Sequence, residues 1–218
     1  MITMEFADAY FFLCLLVLVS LIAGYISRAL GKYYKPVPLR VLIETGNFTI
    51  CLHYSVIYVV AFFAIGVTDD RIESSLFSLF SIAYMVHVLL IVVHELGHTL
   101  ACKIVGAKVY GIFVSCEGGI CYTDGSDNRL KAILIHASGP LADLCVLVIA
   151  LIVMSPERGS IVDYAVWWAL VPWNAFGIVL NLIPRIVGDR GTDGYYILHH
   201  IRNFRVPITA PRQLEHQA

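Results

Sequence analysis

Charge is scarce in this chain: Asp, Glu, Lys and Arg make up 14% of its 218 residues, against about 25% in an ordinary soluble domain. No Lys/Arg-rich run occurs and the formal net charge is -1, so the electrostatic footprint of a nucleic-acid binder is missing. The six cysteines, Cys14, Cys51, Cys102, Cys116, Cys121 and Cys145, contain no Cys-x-x-Cys pair, which excludes a zinc knuckle. Four of them sit in apolar stretches and read as small hydrophobes; Cys116 and Cys121 bracket the loop CEGGIC. There is no internal repeat, no low-complexity segment and no PDZ-like or nucleotide-binding insertion.

What fills the chain instead is hydrocarbon. Hydrophobic residues account for 59%, and the mean hydropathy is +0.78. A helix needs about 20 apolar residues to cross a bilayer, and five stretches meet that length: residues 9–26, 48–67, 75–93 running on into HELGHTLAC, 132–154 and 164–183. The first is preceded by the acidic segment MITMEFAD and lacks a small-x-small cleavage site, so it is expected to be a retained span and not a signal peptide.

Lys and Arg in the loops choose the orientation. Thirteen of the 15 basic residues fall in 28–40, 103–131 and 185–212, three segments that a five-span arrangement puts on one side. Only Arg71 and Arg158 fall on the other, among Asp69, Asp70, Glu73, Glu157 and Asp163. The expected topology has the N-terminus outside and the C-terminus in the cytoplasm. Tyr164, Trp167 and Trp168 sit where an aromatic belt would mark the outer interface. Between spans three and four, residues 106–128 change texture: Val109, Gly111, Phe113 and Ser115 alternate roughly, and Gly118-Gly119 and Asp124-Gly125 are turn signals. They predict a short β-hairpin on the cytoplasmic side.

The chemistry is concentrated at the end of the third span, in His94-Glu95-Leu96-Gly97-His98. Residues i and i+4 share a helix face, so both imidazoles can reach one cation. Neutral imidazole suits zinc, which lowers the pKa of bound water to about 7. Glu95 lies beside the two histidines with no need to be a ligand, and can shuttle a proton from water to the leaving amine. A chance HExxH is expected in fewer than about one chain in a hundred of this length, and ionisable groups inside an apolar span are functional by default. A catalytic zinc takes three protein ligands. Downstream, Pro184 breaks the fifth span, and Asp189 and Asp193 follow among glycines; both are candidates for the third ligand.

These residues resemble the site-2 protease family of intramembrane zinc metalloproteases, peptidase family M50. HELGH at the cytoplasmic end of a span is similar to its first signature, and Asn181-x-x-Pro184…Asp193-Gly194 to its second. Ser138-Gly139-Pro140 looks like its Gly-Pro element, and the Gly118-Gly119 loop like its membrane-associated strand region, held to pair with substrate. The resemblance implies one zinc ion per chain on His94, His98 and Asp193, with Glu95 as general base. It implies a transmembrane protein as substrate, and Asn181 bonded to the substrate carbonyl or to the Asp193 carboxylate. In many relatives the aspartate follows the asparagine by eight residues, which points to Asp189; the Asp-Gly step with Tyr195-Tyr196 after it favours Asp193, which a new helix start would also hold better. A second departure is Asp143, where the family usually has asparagine.

The expected architecture is thus an all-α membrane protein of about five transmembrane helices: two accessory spans in 1–74, a three-helix site-2-protease-like core in 75–204 carrying a membrane-associated β-hairpin, and a cytoplasmic tail in 205–218. Its function would be to hydrolyse a peptide bond in or near a transmembrane segment, with recognition resting on the spans, the Gly-Gly loop or a regulatory membrane partner. Two other classes fit less well. A zinc-binding membrane protein without proteolysis has no need of Glu95. An aspartyl intramembrane protease built on Asp143 and Asp189 would lack its Tyr-Asp and Gly-x-Gly-Asp signatures. Among lesser residues, His87 is about 10 Å from His94 along the helix, too far to share its zinc, and reads as an interior histidine. His136 and Asp143 are expected to pair with each other, and His199 and His200 to lie on the surface. Reporter fusions after Lys35, Asn128 and Ala218 should read cytoplasmic, and fusions near Asp70 and Arg158 external; a cytoplasmic signal at Asp70 would rule out the five-span topology.

Overall fold

The computed structural model describes residues 43–45, 48–52, 56, 75–115, 118–155, 161–187 and 190–205. The first expected span, 9–26, lies outside them, as does most of the second. Two strands come first, β1 (Ile43–Thr45) and β2 (Phe48–Leu52). Helix α1 (Ser75–Val105) is followed by β3 (Val109–Ser115), β4 (Gly118–Thr123) and helix α2 (Arg129–Val153). Then come α3 (Ile161–Trp168), a π-helical turn Ala169–Trp173 and α4 (Asn174–Leu182), which run on as one rod. A small pair, β5 (Ile186–Val187) and β6 (Arg190–Gly191), leads into α5 (Asp193–Arg202).

Among the described residues, three helical segments are long and apolar enough to cross a membrane: Ser81–Val105, Arg129–Val153 and Val162–Leu182. They coincide with the third, fourth and fifth expected spans. At 1.5 Å per residue the first two reach about 37 Å, more than the ~30 Å hydrocarbon core. Their outward faces carry Leu89, Leu100, Ile104, Leu141, Ile149, Ile152 and Val179, all exposed. Such faces are at home against lipid tails, because each helix satisfies its own backbone polar groups. Asn128 starts α2 by accepting from the N–H groups of Leu130 and Lys131 (2.9 and 3.3 Å), which supplies two of the donors a helix start leaves open.

The sheet is larger than the expected hairpin. Its order is β1-β2-β3-β4, antiparallel except where β2 runs parallel to β3 with Ile50 opposite Ile112. The second expected span began at Phe48, and here the expectation fails, since Phe48–Leu52 is strand. A short apolar run rich in aromatic and β-branched residues serves a strand as well as a helix, and its partner β3 lies far along the chain, beyond the reach of local pattern. Ile112 and Val114 of β3 are buried against Val88 and Ile91 of α1, so the sheet lies across the middle of that helix.

Helices α1 and α2 meet through small residues, as helices in lipid do. At Gly97 a methyl group would come 2.5 Å from the Ser138 carbonyl oxygen and 2.9 Å from Ala142 Cβ. The π-helical turn at Pro172 widens the third rod by one residue: the Asn174 N–H reaches Ala169 O, five residues back. That re-registration turns Trp173 and Asn174 inward. Trp173 Nε1 donates to His87 Nδ1 at 3.0 Å, which makes His87 the satisfied interior histidine expected. Asn174 Nδ2 donates to the Asp143 carbonyl at 3.0 Å and pins the rod to α2. Because a backbone oxygen cannot swing aside, Gly97→Val should force α1 and α2 apart and lower thermal stability in detergent by about 1–3 kcal/mol; an unchanged unfolding temperature would mean that the helices cross less closely.

Candidate metal centre

His94 and His98 leave α1 one turn apart, toward α2. Each ring has one nitrogen committed. His94 Nδ1 lies 2.6 Å from Asp143 Oδ2, and since a carboxylate only accepts, the imidazole donates. His98 Nδ1 donates to the Ile135 carbonyl at 2.7 Å. That carbonyl lies in the turn of α2 just before Pro140 and also accepts from Ser138 Oγ at 2.6 Å. With both Nδ1 atoms spent as donors, each neutral ring presents an Nε2 lone pair. The two Nε2 atoms are 3.1 Å apart.

The third group comes from the far end of the chain. Asp193 Oδ2 lies 3.1 Å from His94 Nε2 and 3.4 Å from His98 Nε2. Its place depends on how α5 begins. Thr192 caps the helix, accepting from the Tyr195 N–H and donating to the Ile183 carbonyl (3.3 and 2.8 Å). Gly194 packs so tightly on the Leu182 carbonyl that any Cβ would overlap it. The close approach joins the start of α5 to the end of α4, and there Asn181 grips the aspartate from two sides. Asn181 Nδ2 donates to Asp193 Oδ2 at 2.7 Å, and the Asp193 N–H donates to Asn181 Oδ1 at 3.3 Å. His136 Nδ1 donates to the other carboxylate oxygen, Oδ1, at 3.2 Å.

His94, His98 and Asp193 can therefore hold a metal ion. Ligands at about 2.0–2.1 Å in a tetrahedron lie about 3.3 Å from one another, and the three atoms here are 3.1–3.4 Å apart. The space is kept by Gly139, where a Cβ would strike the His98 ring and come 2.6 Å from His94 Nε2. Glu95, one residue on from His94, is buried, and β4 crosses over it. Gly119 lies so close that a methyl group there would hit Glu95 Cγ.

Of the residues singled out from sequence, His94, His98, Asp193, Asn181, Glu95 and Gly119 come together. Gly118, at φ +149°, has open space where a side chain would be. Asp189 lies outside the described residues. His136 and Asp143 do not pair with each other. They stand on one face of α2, three residues before and four after Gly139, so each reaches a different member of the cluster: His136 to Asp193 and Asp143 to His94. The legible signal was their ionisable nature within an apolar span; what each one touched was not. His200 also departs from expectation. It is half-buried, stacked 6.0 Å from His136, and accepts from Arg129 at 3.4 Å; burial and the nearby His136, His199 and Arg129 lower its pKa to about 4.

No curated protein matches the chain. Among solved structures, the site-2 protease from Methanocaldococcus jannaschii shares the fold with a TM-score of 0.50 and 23% identity, over 77% of this chain and 73% of that one. The model of the peptidase M50B-like family matches residues 48–182, a stretch that holds His94, Glu95, His98, Gly119, Asp143 and Asn181 and stops short of Asp193. With more than half its length matched, the chain belongs to the peptidase M50B-like family of membrane-embedded proteases, and it shares its fold with a site-2 protease.

Proposed function

We propose that this protein is a zinc endopeptidase that cuts a peptide bond in or near a transmembrane segment of a membrane-bound substrate, on the cytoplasmic side of the bilayer. The observation that carries the reading is the convergence of His94 Nε2, His98 Nε2 and Asp193 Oδ2 within 3.1–3.4 Å, with a buried glutamate on the same helical turn. A zinc ion bound there would supply Lewis acidity and ionise water near neutral pH. Glu95 takes the proton of the attacking water and returns it to the amine nitrogen that leaves. Asn181 holds Asp193 and keeps an amide close to the reacting atoms. In this reading residues 75–204 are the catalytic core, 1–74 bring one accessory span at 9–26 and the strands that pair with β3, and 205–218 form the tail.

The cytoplasmic assignment rests on the distribution of Lys and Arg. His98 precedes Lys103 by five residues, about 7–8 Å along the helix, which sets the centre just inside that face. A substrate helix has its own amides bonded and must unwind before its carbonyls can be attacked. Among the described residues β4 is the edge of the sheet, directly over Glu95, and is suited to receive the unwound strand by β-augmentation. Helix-weakening residues near the cytoplasmic end of the substrate span should therefore favour cleavage.

Purified protein should bind one zinc ion. His94→Ala, His98→Ala and Asp193→Ala should each lose it. Glu95→Gln should keep zinc and cleave about 10²–10⁴-fold more slowly, the usual worth of a general base. Gly119→Val should slow cleavage without loss of zinc, since its side chain would displace Glu95. Full activity in Asp193→Ala would remove the third ligand from this assignment, and full activity in Glu95→Gln would remove the general base.

A further inference from the structure

Asp143 is a buried carboxylate in an apolar helix, 8% exposed. It stands outside the trio of converging donor atoms, and the mechanism above makes no use of it. Its Oδ2 accepts from His94 Nδ1 at 2.6 Å, a short contact of the kind a carboxylate acceptor favours. Its Oδ1 is buried and has no hydrogen-bond partner among the described residues. A carboxylate held in this way is expensive, since burying a charge costs several kcal/mol unless it is paired. The fold nevertheless fixes it firmly, because Asn174, turned inward by the π-helical turn, donates to the Asp143 backbone carbonyl at 3.0 Å.

We propose that Asp143 is a positioning residue for His94. It holds the Nδ1 proton so that Nε2 stays free to bind metal, and its negative charge makes that imidazole a better ligand. The inference rests on the metal-centre reading. The two histidines differ in this respect, because His98 donates to a neutral carbonyl, that of Ile135. Partners of this kind orient ligating histidines and raise their basicity, and their loss costs about 10–100-fold in metal affinity.

Asparagine is the discriminating replacement. It has nearly the same shape and keeps an oxygen to accept from Nδ1, but it has no charge. The hydrogen bond from Asn174 goes to the backbone and survives any side-chain change. Zinc affinity would be measured by chelator competition on the full chain in detergent for wild type, Asp143→Asn and Asp143→Ala, with helix content followed by circular dichroism. The expected result is about a tenfold loss of zinc affinity in Asp143→Asn and a larger loss in Asp143→Ala, at unchanged helix content. Wild-type affinity in Asp143→Asn would overturn the proposal, whatever the alanine variant does, because a role in shape alone is preserved by the amide. If wild-type protein bound no zinc at all, the metal-centre reading itself would fall. Should Asp143→Ala fail to fold, the asparagine variant decides alone.

Discussion

Ionisable side chains inside an apolar helix bundle persist only where their polar atoms find partners, and here most of those partnerships run through a single carboxylate. One Asp193 oxygen faces the Nε2 atoms of His94 and His98 and accepts from Asn181, and the other accepts from His136. Those groups come from three parts of the fold: two from α1, one from α2 and one from the end of α4. The carboxylate thus joins every long helix to the short terminal one, and the geometry of the centre is a property of the bundle as a whole.

The bundle can close this tightly because its crossing points are small. Gly97 lets α1 lie against Ser138 and Ala142, Gly139 keeps open the space between the imidazoles, and Gly194 lets α5 touch the carbonyl of Leu182. Away from these points the helices present large aliphatic side chains outward. Where lipid and side chains are equally apolar, hydrophobicity cannot press helices together, and close backbone approach takes its place. The same residues that pack the helices therefore set the distances between the donor atoms.

Much of this was legible in the sequence, and the limits have physical causes. The spans of α1 and α2 and the rod of α3 and α4 are long, uniform apolar runs, the strongest pattern a membrane chain offers. His94 and His98 announce themselves by helical spacing. The choice between Asp189 and Asp193 could not be made from spacing, because the breaks at Pro184 and Gly191 leave the path of the chain undetermined. In the structure Asp193 is the carboxylate that meets the histidines, and Asp189 is not described. The partners of His136 and Asp143 were misread for a related reason: seven residues on one helix face suggest a pair, yet at about 10 Å apart they serve two different neighbours across the bundle. The strand at Phe48–Leu52 was hidden because parallel pairing with β3 is a long-range event that leaves no local period.

The position of Asp193 has a consequence for how the molecule comes into being. Ribosomes release the chain from its N-terminus, and Asp193 follows His94 by 99 residues. While α1 and α2 enter the bilayer, both histidines already have their Nδ1 partners, Asp143 and the Ile135 carbonyl, but no carboxylate faces their Nε2 atoms. The donor set is completed only after Leu182 has left the ribosome and α5 has folded back against it. With the proposed ligand set, a nascent or prematurely truncated chain therefore carries the HExxH turn without its third donor.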